Sequence, residues 1–179
     1  ELRLSKEELL SIARLLGADV PFFLSGARAL GTGRGDELQI LPVTDKFYVI
    51  LINPRLSIST EWVYKNLKLE LTKDRKNINI KKFISEKGEI GDIRDILSND
   101  LELVVVEKYD VIGRMKELLL SAGASGSLMS GSGSTVFGIF KDYSSAKQAG
   151  EMLKREEWSL FLAESLTGLD NVYPGEVIV

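Results

Sequence analysis

Between two apolar runs lie six small residues, Ser130-Gly131-Ser132-Gly133-Ser134-Thr135. Consecutive N–H groups on such a loop can converge on an anion, and the hydroxyls add further donors. It is not a Walker loop, because it lacks the Lys that reaches the transferred phosphates and a strand rather than a helix follows. It is not a dinucleotide fingerprint, because the third Gly and the βαβ unit are missing. The same composition also makes an ordinary hairpin loop. Asp19, in Gly-Ala-Asp-Val-Pro, follows a predicted helix C-terminus, where the macrodipole disfavours a carboxylate. It is either a turn Asp bonded to a nearby N–H, or a carboxylate positioned by Pro21 as a general base or metal-associated anchor. Trp62 and Tyr64 follow a strand–Pro–helix join. Two apart on a helix, they point to different faces. One suits the core, and the other suits stacking on a planar ligand.

The chain contains no His and no Cys. Ser-His-Asp triads, thiolate nucleophiles, disulfides and most zinc sites are therefore excluded. Catalysis within the chain must use carboxylates, Lys, Tyr, hydroxyls or backbone dipoles. A metal would sit on carboxylates or on the substrate, which suits Mg²⁺. The net charge of −3 argues against a nucleic-acid surface. No run of apolar residues is long enough to span a membrane. No secretory signal is read at the N-terminus, and the missing initial Met leads us to expect a chain cut from something longer.

The elements that must position these residues follow from pattern and punctuation. Ser5 and Glu8 form a predicted capping box. Leu9, Ile12, Ala13 and Leu16 then share a helix face that ends at Gly17. Residues 22–42 read as a bent or bulged hairpin, because glycines interrupt short apolar runs. Lys46–Pro54 reads as a buried strand, and a helix capped by Ser59 or Thr60 follows. Residues 70–90 are the most polar stretch, either a solvated loop and helix face or an anion site. Two helices broken near Tyr109–Asp110 come next, the first capped by Asn99, the second burying Ile112, Met115, Leu118 and Leu119 and ending at Gly123. Strands flank the Gly-Ser loop, a helix capped at Ser144 or Ser145 follows, and residues 158–166 form a last strand before a tail. From Lys46 the order is β-α-α-α-β-β-α-β. That order suggests an α+β fold with helices on one face of a four-stranded sheet.

Three segments in this order, LGADVPFFLSGARALGTGRGDELQILP, NPRLSISTEWVY and SLMSGSGSTVFGIF, with SNDLE at Ser98–Glu102, resemble the GHMP kinase superfamily (galactokinase, homoserine kinase, mevalonate kinase, phosphomevalonate kinase). Within it they resemble the bacterial branch that acts on a cytidine-diphosphate-linked methylerythritol. The resemblance implies a GHMP-kinase C-terminal domain over residues 45–179, a four-stranded antiparallel sheet with helices on one face. Residues 1–44 would then be a remnant of the N-terminal domain, a helix plus strands. The implied activity is ATP-dependent phosphorylation of a substrate hydroxyl in the non-mevalonate isoprenoid route, with ATP and Mg²⁺ as cofactors and no metal ligands from the protein. The implied partners are a small-molecule substrate and the missing N-terminal half of the same enzyme, with no nucleic acid and no membrane, in the cytoplasm. The superfamily's first motif, with its substrate-binding Lys and Asn, and its second, the phosphate loop that holds ATP, have no counterpart here. The lone chain is therefore expected to be inactive.

Residue by residue, the resemblance makes Asp19 the catalytic base. Thr60 and Tyr64 match the segment holding the cytidine end, with Tyr64 stacking on cytosine. Gly131, Ser132, Gly133, Ser134 and Thr135 match the loop at the substrate's diphosphate. Another GHMP kinase with a different acceptor and a non-catalytic α+β module that binds a nucleotide or phosphate are the alternatives. In a purely structural interaction domain, the loop and Asp19 would lie far apart.

Overall fold

The computed structural model describes residues 4–25, 28–33, 35, 37–41, 46–67 and 96–166. The polar stretch 70–90 and the tail beyond Leu166 lie outside the described residues. The chain divides into two compact units, Lys46–Ser165 and the remainder, Glu1–Asp45 with Leu166–Val179.

In the larger unit the apolar strand β3 (Tyr48–Asn53) is interior to the sheet, with order β4-β5-β3-β6 and every pair antiparallel. The partners are β4 (Gly126–Met129), β5 (Val136–Phe140) and β6 (Ser159–Glu164). The register sets Ile50 opposite Gly138 and Leu162, and Ile52 opposite Val136 and Leu160. Period-two alternation therefore aims Ile50, Ile52, Val136 and Phe140 at one side, where all four are buried. That side carries the helices α3 (Thr60–Asn66), α4 (Asp100–Lys108), α5 (Asp110–Ser121) and α6 (Tyr143–Leu153). Val63, Val105, Ile112, Met115, Leu119, Ala146, Ala149 and Leu153 complete the core from these helices. The run Lys46–Pro54 reads as buried throughout, but only Ile50 and Ile52 are fully buried in β3. Val49 and Leu51 are half-buried because the helices named here all pack on the other face.

Close approach between α5 and the sheet depends on Gly138. A Cβ there would lie 3.0 Å from Leu119 Cδ2 and 3.2 Å from Ala124 Cβ. The last turn of α5 closes with Ala124 N–H donating to Leu119 O (3.0 Å), around Gly123 at φ +97°. Only glycine takes that left-handed conformation at no steric cost. Asn99 caps α4, as expected, by accepting from Leu101 N–H (3.0 Å). Helix α6 differs from expectation. Its cap is Asp142 rather than Ser144 or Ser145, because a carboxylate one position before the first turn accepts both the Ser145 N–H (2.8 Å) and the Ser144 hydroxyl (2.5 Å).

In the smaller unit, α1 (Lys6–Leu16) starts on the predicted box: Ser5 Oγ accepts from Glu8 N–H (3.2 Å), and Glu8 accepts from Ser5 N–H (2.7 Å). Of its apolar stripe only Ala13 is buried, whereas Leu9, Ile12 and Leu16 are exposed. The expected bent hairpin is two different things. Phe22–Ser25 is a short helix, α2, turned on Pro21, whose carbonyl accepts from Leu24 N–H (3.1 Å) and Ser25 Oγ (2.7 Å). Ala29–Thr32 (β1) and Glu37–Ile40 (β2) then pair in unbroken antiparallel register. Gly33 (φ +64°) and Gly35 (φ +94°) make the turn in the loop, so the ladder needs no bulge.

Candidate active site

The Gly-Ser loop joins two sheet neighbours, β4 and β5, and is fastened along its length by side chains and carbonyls from the β3–α3 connection. Asn53, the last residue of β3, donates from Nδ2 to Thr135 Oγ1 (2.9 Å). Ser134, buried, donates from Oγ to Leu56 O (2.5 Å). Thr60 Oγ1 and Ser132 Oγ share a hydrogen bond of 2.8 Å. Within the loop, Ser130 N–H donates to Thr135 O (2.9 Å) and Gly133 N–H donates to Ser130 O (3.0 Å). Gly131 (φ +55°) and Gly133 (φ +91°) are both left-handed. The N–H groups of Gly131 and Ser132 have no hydrogen-bond partner among the described residues. The loop thus offers neutral donors with no carboxylate side chain within its own span.

Helix α3 presents the aromatic pair as its spacing predicts. Ser59, not Thr60, caps it, accepting from Trp62 N–H (3.2 Å), which leaves the Thr60 hydroxyl to the loop. Trp62 packs against the core edge-on to Tyr109 (ring centroids 6.0 Å apart), with the Lys108 ammonium 4.0 Å from its centroid. Tyr64 is 60 % exposed and stands one turn on from Thr60, on the same face of the helix.

Asp19 belongs to the smaller unit, in the turn between α1 and α2. Its backbone carbonyl, not its side chain, closes the turn by accepting from Phe22 N–H (3.3 Å). The carboxylate is exposed and has no hydrogen-bond partner among the described residues, unlike an ordinary turn Asp. Among the described residues no group of three or more His, Cys, Asp or Glu is placed to hold a metal. No helix among them is long and apolar enough to cross a membrane.

Two groups escape sequence reasoning. Asn53 reads as the end of a strand, and Asn99 as a cap, yet both bond the loop or its entrance. An Asn at an element end next to a Gly-Ser loop partner is the one available signal, and it is shared with ordinary caps.

Residues 79–160 match the family described as "GHMP kinases C terminal". The chain is 45% identical over 164 residues to the 4-diphosphocytidyl-2-C-methyl-D-erythritol kinase of Syntrophotalea carbinolica, covering 91% of this chain and 57% of that protein. The family match falls wholly within the larger unit, Lys46–Ser165. The crystal structure of a 4-(cytidine 5'-diphospho)-2C-methyl-D-erythritol kinase superposes on the chain with a TM-score of 0.73 at 27% identity, over 90% of this chain and 57% of the other. A homoserine kinase from Cytophaga hutchinsonii has the same fold, with a TM-score of 0.71 at 19% identity over 93% of this chain and 59% of the other. The fold is thus shared with solved kinases that carry different names. The chain spans less than two thirds of the length of the curated relatives it matches. In the larger unit, the Gly-Ser loop and α3 meet through the hydroxyls of Ser132 and Thr60.

Proposed function

We propose that the chain is the C-terminal part of a kinase that transfers the γ-phosphoryl group of ATP to the hydroxyl of 4-diphosphocytidyl-2-C-methyl-D-erythritol, a step of the non-mevalonate isoprenoid route in the cytoplasm. The observation that carries this reading is the 2.8 Å hydrogen bond between Thr60 and Ser132. It joins the segment assigned to the cytidine end to the loop assigned to the diphosphate, across 72 residues of sequence.

In this reading Tyr64 stacks on cytosine and Thr60 borders the nucleotide. Gly131, Ser132, Gly133, Ser134 and Thr135 form the loop at the diphosphate. Their neutral donors offset the repulsion between a polyanionic substrate and the base. Asp19 accepts the proton of the hydroxyl as its oxygen takes the phosphoryl group. In a loose transition state that proton leaves late, so a weak base suffices. Mg²⁺ would come bound to ATP, with no ligand from this chain, and would supply charge neutralisation at the phosphates. Residues 1–44 are the end of an N-terminal domain and residues 45–179 the C-terminal domain. The exposed stripe of Leu9, Ile12 and Leu16 supports a further partner for α1, the rest of the same enzyme.

The test uses the longer enzyme containing this chain. Asp19→Asn is expected to lower transfer by about 10²–10⁴-fold while calorimetry shows the cytidine substrate still bound. Near-full activity in that variant removes Asp19 as the base. A wild-type enzyme that binds no cytidine diphosphate ligand overturns the assigned substrate.

A further inference from the structure

Two residues of the segment Ser98–Glu102, Asn99 and Glu102, bond the entrance of the Gly-Ser loop. Asn99 uses its whole amide. Its Oδ1 accepts from Leu101 N–H (3.0 Å), and its Nδ2 donates to both Met129 O (2.9 Å) and Gly131 O (2.8 Å). The Leu101 donor and the two carbonyl acceptors agree on one orientation of the amide, since the flipped one would oppose like groups at all three contacts. One helical turn on, Glu102 accepts from Met129 N–H (2.8 Å) and pairs with Lys116 of α5. Both side chains of this pair are mostly buried, so Lys116 neutralises a carboxylate next to the loop's root. The backbone at 129–131 is therefore held at three atoms by residues about thirty positions earlier. The ladder to β5 ends at Met129, where Val136 faces it. Beyond that point the loop has two backbone bonds of its own, Ser130 N–H to Thr135 O and Gly133 N–H to Ser130 O, and is otherwise held by side chains.

We propose that Asn99 and Glu102 are positioning residues of the phosphate loop: they fix Met129–Gly131 so that the Gly131 and Ser132 N–H groups stay in place for the substrate's diphosphate. The last clause rests on the reading of Gly131–Thr135 given above. The clamp itself rests only on the hydrogen bonds. It complements the fastening by Asn53, Leu56 and Thr60, so that the loop is held both from the β3–α3 connection and from the start of α4. A loop of only Gly, Ser and Thr loses much backbone entropy when ordered. Ordering it in the free enzyme removes that cost from the binding step.

Asn99→Asp tests the clamp. It preserves shape and the α4 cap, but sets a carboxylate oxygen against the Met129 and Gly131 carbonyls. Asn99→Ser also keeps a capping oxygen and lacks the reach. In the ligand-free 179-residue chain, amide hydrogen exchange at Ser130 and Gly133, whose N–H groups are bonded inside the loop, is expected to speed up on the order of tenfold, the effect of a lost hydrogen bond or two. Exchange in β3 and α5 is expected to stay unchanged. In the longer enzyme, the KM for the cytidine substrate is expected to rise about tenfold with the KM for ATP unchanged. Unaltered exchange at Ser130 and Gly133 in both variants overturns the proposal. So does faster exchange throughout the unit, or a fall in kcat with both KM values unchanged, since these mark a structural residue only. If the wild-type enzyme transfers nothing to the cytidine substrate, the functional reading fails, and the exchange measurement alone decides the clamp.

Discussion

Gly133 shows how much of the loop's shape is fixed one residue at a time. Its φ of +91° is a conformation that costs other residues on the order of 1–3 kcal/mol. A Cβ there would also lie 2.9 Å from Met129 Sδ and 3.3 Å from Ile58 Cδ1. Gly131 differs: its φ is +55°, but a Cβ would meet nothing within 4 Å. Gly133→Ala is therefore expected to lower the urea unfolding free energy of the chain by about 1–3 kcal/mol, with Gly131→Ala costing less. Equal midpoints for the two variants would show that the packing around Met129 yields freely. Both glycines look alike in the sequence. What separates them is the packing of Met129 and of Ile58 over Gly133, and Ile58 lies seventy-odd positions away along the chain, where no local pattern announces it.

At the scale of elements, caps decide where helices begin, and one cap couples to pH. Hydrogen bonding from the Ser144 hydroxyl, then from the Ser145 N–H and hydroxyl, pulls the Asp142 carboxyl down to about 2. A carboxyl depressed in the folded state stabilises that state above its unfolded value, and the contribution fades as pH falls toward about 2. Wild-type chain is thus expected to lose stability relative to Asp142→Asn as pH is lowered from about 4 toward 2. Thermal midpoints of the two proteins at each pH give the check, and parallel curves would mean that Asp142 stays unlinked to folding. This cap, the capping box at Ser5 and Glu8, and the Asn99 cap all act within three or four residues. They are legible in sequence because donor and acceptor are close along the chain, although the choice of Asp142 over its serine neighbours turned on which group accepts best.

For the whole molecule, the division into two units sets the last expectation. Lys46–Ser165 holds the complete four-stranded sheet and the core cluster, whereas among the described residues of the smaller unit only Ala13, Pro21 and Leu41 are buried, and α1 shows Leu15 86 % exposed. Residues 46–165 expressed by themselves are expected to unfold in one cooperative transition with coincident far-ultraviolet dichroism and tryptophan fluorescence. Non-coincident curves would show that the core needs the rest of the chain.

The sequence by itself determined the order of the described elements from Lys46, the antiparallel α+β class, the absence of His and Cys chemistry, and, through resemblance, which short segments to compare. These depend on alternation, on punctuation by Gly and Pro, and on composition, all of which are local. It did not determine that Phe22–Ser25 is helical, that the β3 run is fully buried on one face only, or that Gly138 must be small for Leu119 to approach. Nor did it determine what Asn53, Thr60 and Asn99 bond. Those contacts join residues 82, 72 and about thirty positions apart. They exist because an antiparallel sheet with helices on one face brings the β3–α3 connection and the start of α4 to the same end as the β4–β5 loop. Side chains that serve as ordinary element ends along the chain become loop anchors only once that packing sets them side by side.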